Sequence, residues 1–308
     1  MNAAPSLVDG AACGATPLFG GRTVQADRQG RADIATPSGK NRHTENFPVG
    51  SWLVRRELRR HVHAFYRYAR MGDDIADNPA LEPQEKIRRL DRMEEVLRDD
   101  ARDDVPVAAA MRTSLIETGV TPQHCCELLV AFRRDATKKR YADWGELLDY
   151  CRYSAAPVGR YLLDLHGEAR ESWPASDALC AALQIINHLQ DCREDAQVMD
   201  RIYIPMLDFS RHGLSPAVLA ERSASPALRT LLDELLDRTD QLMAEADHLP
   251  GLISDWRMRA EAAVIVALAH ALIRALRTRD PLAEKVKLER GRIAVVALRG
   301  LLASMRRR

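Results

Sequence analysis

The sequence has few aromatic residues, almost no net charge and no long uninterrupted hydrophobic run. Phe, Trp and Tyr make up 5% of its 308 residues. The 45 basic side chains are balanced by 44 acidic ones, which disfavours a general nucleic-acid binder. The longest apolar stretch, AAVIVALAHALI from Ala262, contains His270 and is followed by Arg274, so it is too short for a membrane span. We therefore expect any membrane contact to be peripheral.

Signals for disulfide bonds, metal-binding cysteines and secretion are also missing. The six cysteines show neither a CxxC pair nor the spacing of a disulfide framework. No secretory signal is recognisable at the N-terminus. We interpret the cysteines as reduced thiols of a cytoplasmic protein.

The pattern of apolar residues predicts an all-α protein. Residues 1–43 are rich in Gly, Ala, Ser, Thr and Pro without periodicity, and we expect a disordered leader there. From residue 44 to residue 308, apolar residues recur at spacings of three and four, and proline or glycine separates the periodic segments. Alternating strand patterns, hairpin signals and fixed-period repeats are absent. The prediction is one all-α domain of roughly eight to ten helices packed as a bundle.

Two acidic patterns stand out. Asp73 and Asp77, in YRYARMGDDIAD, are four residues apart and would share one face of a helix. Asn187, Asp191 and Asp195 repeat that spacing directly after an apolar run. A stripe that changes from leucine to Asn and Asp without leaving the core side predicts a cavity with a polar wall.

Each acidic pair needs a compensating positive charge because like charges at this spacing repel. Mg²⁺ binds one or two carboxylates and takes its other ligands from water and phosphate oxygens. Two facing acidic pairs could thus hold Mg²⁺ ions that bind a diphosphate. Arg70 and Arg201 lie close to the two patterns in sequence and would add charge-assisted hydrogen bonds to that diphosphate. A single Asp pair is usually a solvated helix face, so the metal-site prediction depends on the two patterns occurring together.

Four motifs resemble the squalene/phytoene synthase family of isoprenyl diphosphate synthases, from about Glu45 to the C-terminus. They are RELRRHVHAFYRYARMGDDIAD, FRRDATKKRYADWGELLDYC, YCRYSAAPVG and QIINHLQDCREDAQVMDRIYIP. The resemblance implies two acid-bearing helices that face each other across a cavity, with Mg²⁺ between them and an isoprenyl diphosphate. It implies metal-side residues at Asp73, Asp77, Asn187, Asp191 and Asp195, and diphosphate ligands at Arg70 and Arg201. It also implies that Tyr66, Tyr150 and Tyr203 line the reacting centre.

Departures from the common pattern narrow the resemblance to one branch. ENFPVGS, which includes Phe47, replaces the usual first diphosphate segment, Pro157 occupies the SAAPVG motif, and Gln190 replaces an arginine. These features resemble the hydroxysqualene synthase branch of bacterial hopanoid synthesis. That branch implies ionisation of presqualene diphosphate and capture of the cation by water. Phe47 is expected to contact the substrate.

The implied reaction calls for an apolar chamber with aromatic groups. Tyr66, Tyr150 and Tyr153 are candidates for stabilising the cation with their ring faces, although ordinary core tyrosines would show the same pattern. The isoprenoid chains are expected to contact Phe65, Phe132, Leu162, Leu183 and Ile186. For His61, His63 and His188, a structural role is the favoured interpretation.

Several alternatives stay open. A presqualene diphosphate synthase, a squalene synthase or a phytoene synthase would share these motifs, and a non-catalytic assembly or lipid-binding relative would share the helical framework. The resemblance implies functional coupling to other enzymes of the squalene pathway. The basic segment LRGLLASMRRR is either a peripheral contact with anionic lipid or a frayed, charged helix end.

Overall fold

The part of the chain that the structure describes consists mainly of α-helices. The computed structural model describes residues 54–306, so the predicted leader and Phe47 lie outside the described residues. The α-helices in this part are α1 Arg59–Asp77, α2 Pro83–Arg98, α3 Pro106–Thr118, α4 Gln123–Asp135, α5 Trp144–Ser154, α6 Ala156–His166, α7 Trp173–Gln190, α8 Cys192–Val198, α9 Met206–Arg211, α10 Pro226–Ala246, α11 Leu249–Leu252, α12 Trp256–Thr278 and α13 Arg290–Arg306. Between residues 54 and 306 there is no β-strand, and a single isolated bridge joins Arg140 to Ile202. The all-α prediction is confirmed.

The described residues hold more helices than the eight to ten that the sequence predicts. The additional ones are short, with seven residues in α8, six in α9 and four in α11. A helix of one or two turns contributes too few apolar positions to produce a recognisable period. The prediction therefore undercounted the short helices.

Capping residues set the ends of several long helices. Ser225 accepts a hydrogen bond from the backbone N–H of Leu228 at the start of α10. Asp255 accepts two such bonds at the start of α12. Gly119 and Gly167 end α3 and α6 with φ values of 69° and 71°, a left-handed conformation that favours glycine.

The buried hydrophobic side chains form two clusters that share two helices. The N-terminal cluster draws mainly on α1 to α4, and the C-terminal cluster mainly on α5, α7, α10 and α12. Helix α4 contributes Leu128 to the first and Ala131 to the second, and α6 likewise contributes Tyr161 and Leu163. Between residues 54 and 306, no helix combines the length and apolarity needed to cross a membrane.

Candidate active site

A cavity of about 330 Å³ brings the two acidic patterns together. Its wall comes from α1, α4, α5, α6, α7 and α8 and from the segment that follows α8. The predicted site residues on this wall are Tyr66, Arg70, Asp73, Asp77, Tyr150, Asn187, Asp191, Asp195, Arg201 and Tyr203. Residues more than 100 positions apart in sequence therefore line one chamber.

Tyr153 lies elsewhere. It is not among the cavity-lining residues, and the Arg134 guanidinium lies over its ring at 4.6 Å from the ring centroid. The Arg152 guanidinium lies 5.5 Å from the same centroid. The ring face of Tyr153 is thus engaged by two arginines of this chain.

The first acidic pair is on the last turn of α1. The Arg70 guanidinium lies 3.5 Å from a carboxylate oxygen of Asp73 and 2.9 Å from one of Asp74. Asp77 is the last residue of the helix, and its Oδ1 accepts a hydrogen bond of 2.5 Å from Nη1 of Arg201. Each predicted diphosphate ligand therefore contacts a carboxylate of this pair.

The second acidic stripe crosses a break between two helices. Helix α7 ends at Gln190 and α8 begins at Cys192, so Asp191 belongs to neither. The backbone N–H of Asp191 still donates to the carbonyl of Asn187 at 3.0 Å, and that of Asp195 donates to Asp191 at 2.8 Å. The four-residue hydrogen-bond pattern continues across the break and maintains the helical spacing of the three polar residues.

A lysine that the sequence analysis did not single out contacts this stripe. Nζ of Lys285 lies 3.1 Å from Oδ1 of Asp191 and 3.2 Å from Oε2 of Glu194. Lys285 belongs to the connection between α12 and α13. Lys285 lies more than 90 residues after Asp191 in the sequence, so no local sequence pattern predicts this contact.

Arg201 joins three parts of the site. Its guanidinium donates to Asp77, to the backbone carbonyl of Ala76 at 3.2 Å and to that of Asp135 at 3.0 Å. The Arg201 side chain is 7% exposed, as is that of Asp77. The bridge between residues 140 and 202 fixes the backbone beside it.

Aromatic rings form another part of the wall. The ring of Tyr203 stacks on His188 with a centroid distance of 3.5 Å, and Tyr150 lies 5.6 Å from Tyr203. Burial raises the pKa of both tyrosines well above its ordinary value, so their hydroxyl groups are neutral at physiological pH. His61 and His63 are the other two histidines for which the sequence favours a structural role. His61 is hydrogen-bonded to Ser114 inside the bundle at 2.8 Å, and His63 is exposed.

The apolar wall differs from the sequence prediction. Among the five apolar residues predicted to contact the isoprenoid chains, Phe132 lines the cavity, together with Ala69, Leu128 and Val158. The other four, Phe65, Leu162, Leu183 and Ile186, pack within the two hydrophobic clusters. Gly72 makes room for Phe132, since a Cβ at that glycine would lie 2.5 Å from the ring.

Asp135 is a cavity residue that the sequence analysis missed. It is 6% exposed, and its Oδ2 accepts a hydrogen bond of 2.9 Å from the hydroxyl of Tyr150. Burial raises the pKa of Asp135 to about 7. A signal was present, because Leu128, Phe132 and Asp135 follow the helical spacing in which an apolar stripe ends in an acid.

The donor atoms around the cavity suit a hard cation. The carboxylates of Asp73, Asp77, Asp191 and Asp195 and the amide of Asn187 offer oxygen ligands. Among the described residues, no group of three or more His, Cys, Asp or Glu side chains is arranged to hold a metal by itself. Mg²⁺ fits this arrangement because it keeps waters and substrate phosphates among its ligands.

The all-α fold and the paired acids around one cavity agree with a sequence match. The chain matches the squalene/phytoene synthase family over residues 40–292 and belongs to that family of enzymes. A hydroxysqualene synthase of Rhodopseudomonas palustris is 45% identical over 252 residues, which cover 82% of this chain and 86% of that protein. The hydroxysqualene synthase of Zymomonas mobilis is 42% identical over 275 residues, or 88% and 92% of the two chains.

Solved structures agree with this assignment. Squalene synthase HpnC from Alicyclobacillus acidocaldarius superimposes with a TM-score of 0.69 at 30% identity, covering 83% of this chain and 95% of that one. A dehydrosqualene synthase in complex with a ligand gives a TM-score of 0.74 at 23% identity, covering 92% of this chain and 99% of the other, and supports the fold alone.

Proposed function

We propose that this enzyme is a hydroxysqualene synthase that converts presqualene diphosphate and water into hydroxysqualene and diphosphate. The observation that carries the proposal is the cavity itself, where both acidic patterns share one chamber with apolar and aromatic side chains. The identity of 42–45% with two enzymes of that name over more than four fifths of this chain favours this reaction over others in the family.

The polar wall would bind the diphosphate end of the substrate. Asp73, Asp77, Asn187, Asp191 and Asp195 would hold Mg²⁺, which supplies positive charge that stabilises a departing diphosphate. Arg70 and Arg201 lie on the same wall. Their N–H groups would donate charge-assisted hydrogen bonds to diphosphate oxygens and orient the carbon–oxygen bond that breaks.

The remaining wall would handle the carbocation left when the electron pair departs with diphosphate. A desolvated tyrosine ring stabilises a cation by about 2 kcal/mol. Tyr66, Tyr150 and Tyr203 line the cavity and would take this role. The apolar side chains of Leu128, Phe132 and Val158 would exclude bulk water. A chamber that limits water in this way would let one molecule react at a defined carbon.

A product assay tests the proposal. Labelled presqualene diphosphate, farnesyl diphosphate and geranylgeranyl diphosphate are each incubated with enzyme and Mg²⁺, with and without NADPH. We expect hydroxysqualene from presqualene diphosphate in both conditions. Formation of presqualene diphosphate, of squalene that requires NADPH, or of phytoene would instead assign the enzyme to one of the three alternatives within the family.

We also propose that the enzyme works at the surface of an anionic membrane. On α13, Val295, Leu298 and Leu302 are 52%, 57% and 47% exposed and lie along one face. The helix carries several arginines and no acidic residue between positions 290 and 306. An apolar face with basic flanks is typical of helices that lie in a lipid interface, and substrate and product are both lipids.

A further inference from the structure

Asp135 has hydrogen-bonding capacity that none of the roles above uses. Its Oδ2 accepts from Tyr150, whereas its Oδ1 is buried and has no hydrogen-bond partner among the described residues. A buried acceptor left without a donor costs about 1–3 kcal/mol. Such a group on the wall of a ligand cavity points to a donor that arrives with the reaction.

No donor among the described residues reaches Oδ1 of Asp135. Arg201 interacts with the charge of Asp135, but its hydrogen bonds go to the Asp77 carboxylate and to the backbone carbonyls of Ala76 and Asp135. Among the described residues, the Tyr150 hydroxyl is the one group that hydrogen-bonds the Asp135 carboxyl, and it fixes the orientation of that carboxyl through Oδ2. Helix α4 also places Leu128 and Phe132 on the cavity wall. The carboxyl therefore sits where the apolar wall meets the acidic wall.

We propose that Asp135, oriented by Tyr150, binds the water that captures the carbocation and takes up its proton. This inference rests on the proposed function. The water oxygen forms a bond to the cationic carbon, and one of its O–H bonds breaks. The proton goes to Oδ1, and the resulting carboxylic acid returns it to solvent when product leaves.

The ionisation behaviour of Asp135 suits that exchange. Burial raises its pKa to about 7, so the group can take and release a proton near neutral pH. Diphosphate departs before water reacts, which means that loss of the base should not prevent carbon–oxygen cleavage. The role of Asp135 is thereby separable from that of the acidic pairs.

The test measures diphosphate and organic products separately, with presqualene diphosphate and Mg²⁺. In Asp135→Asn we expect diphosphate release within a few fold of the unmodified enzyme. Hydroxysqualene should fall by about 100-fold relative to hydrocarbons formed by proton loss from the cation, the scale of a lost general base. Tyr150→Phe should shift the products in the same direction by a smaller factor.

Two further variants complete the experiment. Asp149→Asn removes an exposed carboxylate that pairs with Arg134, and it should leave the product ratio unchanged. Asp135→Glu retains the carboxyl group and should restore part of the hydroxysqualene. Tyr150→Phe leaves Asp135 in place, so the inference stays testable if Asp135→Asn does not fold.

Three results would overturn the inference. One is an unchanged hydroxysqualene share in folded Asp135→Asn. Another is complete loss of diphosphate release in that variant, which would place Asp135 in the ionisation step. The third is no diphosphate release by the unmodified enzyme, which would contradict the proposed function as well. A failure of this inference alone would be seen in the Asp135→Asn variant, whereas a failure of the proposed function would be seen in the unmodified enzyme.

Discussion

Nη1 of Arg201 donates to Oδ1 of Asp77 across 2.5 Å, and this ion pair joins the end of α1 to the segment after α8. Both side chains are 7% exposed, so the pair is shielded from water. Because Asp77 belongs to the first acidic pair and Arg201 follows the second pattern, the contact ties the two halves of the site together.

Removing this arginine should destabilise the bundle strongly. In Arg201→Ala, Asp77 would stay buried without its cation, and we expect a loss of about 3–5 kcal/mol in the free energy of unfolding. Arg201→Lys keeps one charge but cannot reproduce three separate bonds, so its loss should be smaller. Urea denaturation measures both variants, with Arg140→Ala as control because Arg140 pairs with the exposed Asp200. Equal stability of Arg201→Ala and Arg140→Ala would contradict this expectation.

Truncating the second acidic pattern should stop the reaction while leaving the fold intact. In Asp191→Ala, we expect diphosphate release from presqualene diphosphate to fall by at least about 100-fold, since interactions that stabilise developing charge contribute that much. Circular dichroism should show unchanged helical content. Glu194→Ala is the matched control because Glu194 contacts the same lysine and is not among the cavity-lining residues. Appreciable turnover by Asp191→Ala would count against the metal assignment.

Filling the space beside Phe132 should damage the cavity. The Cβ added by Gly72→Ala would lie 2.5 Å from the phenyl ring, which must shift. We expect a loss of about 1–3 kcal/mol of stability together with reduced activity. Gly251→Ala is the control, since no atom beyond the adjoining backbone lies within 4 Å of its added Cβ. If both variants melt at the same temperature and turn over alike, the α1–α4 packing is looser than described.

The buried carboxyl of Asp135 should make stability depend on pH in a defined direction. Burial raises its pKa from 3.8 to about 7 in the folded state. Its contribution to stability is complete below the unfolded pKa and is lost as pH rises through the folded pKa. Titratable and charged groups that face it are Asp73, Asp77, Lys86, Tyr141, Tyr150, Arg201 and Tyr203.

Asp135→Asn removes that titration. The free energy of unfolding of the variant minus that of the unmodified enzyme should therefore increase between pH 4 and 8, by up to about 4 kcal/mol. The comparison is made by denaturation in metal-free buffer, in which contributions from other groups largely cancel. A difference that is flat with pH would show that Asp135 titrates in the folded enzyme as it does in the unfolded chain.

Charge placed on the exposed face of α13 should weaken membrane binding. We expect the unmodified enzyme to sediment with vesicles that contain phosphatidylglycerol and to stay in solution with pure phosphatidylcholine. Leu298→Glu should abolish sedimentation without changing turnover of detergent-dispersed substrate. Leu207→Glu alters another exposed leucine, 44% accessible, and should bind normally. Identical binding of both variants would exclude this face.

The sequence predicted the acidic patterns well because helical spacing is a local property. Asp73 and Asp77 lie one turn apart on α1, as their separation indicates. Asn187, Asp191 and Asp195 keep their spacing even though the helix breaks at Asp191. That both patterns line one cavity followed from the resemblance and not from periodicity.

Contacts between distant segments were beyond this reasoning. Lys285 approaches Asp191 from a connection with no motif, and the Arg201–Asp77 pair joins residues 124 apart. Tyr153 follows Tyr150 by three residues, a spacing that predicts the same helix face. In the structure, however, Arg134 from a neighbouring helix covers the ring of Tyr153. Asp135 has no second acid three or four residues away, so the pattern of acidic pairs does not include it.

The shared helices have a consequence for ligand recognition. The cavity is lined by Leu128 from the N-terminal cluster and by Tyr150 and Tyr203 from the C-terminal one. A molecule bound in the cavity contacts both hydrophobic clusters at once, so its binding free energy stabilises the entire bundle against unfolding. Ligand binding should consequently raise the melting temperature of the whole protein. That shift offers a way to screen for inhibitors without a product assay.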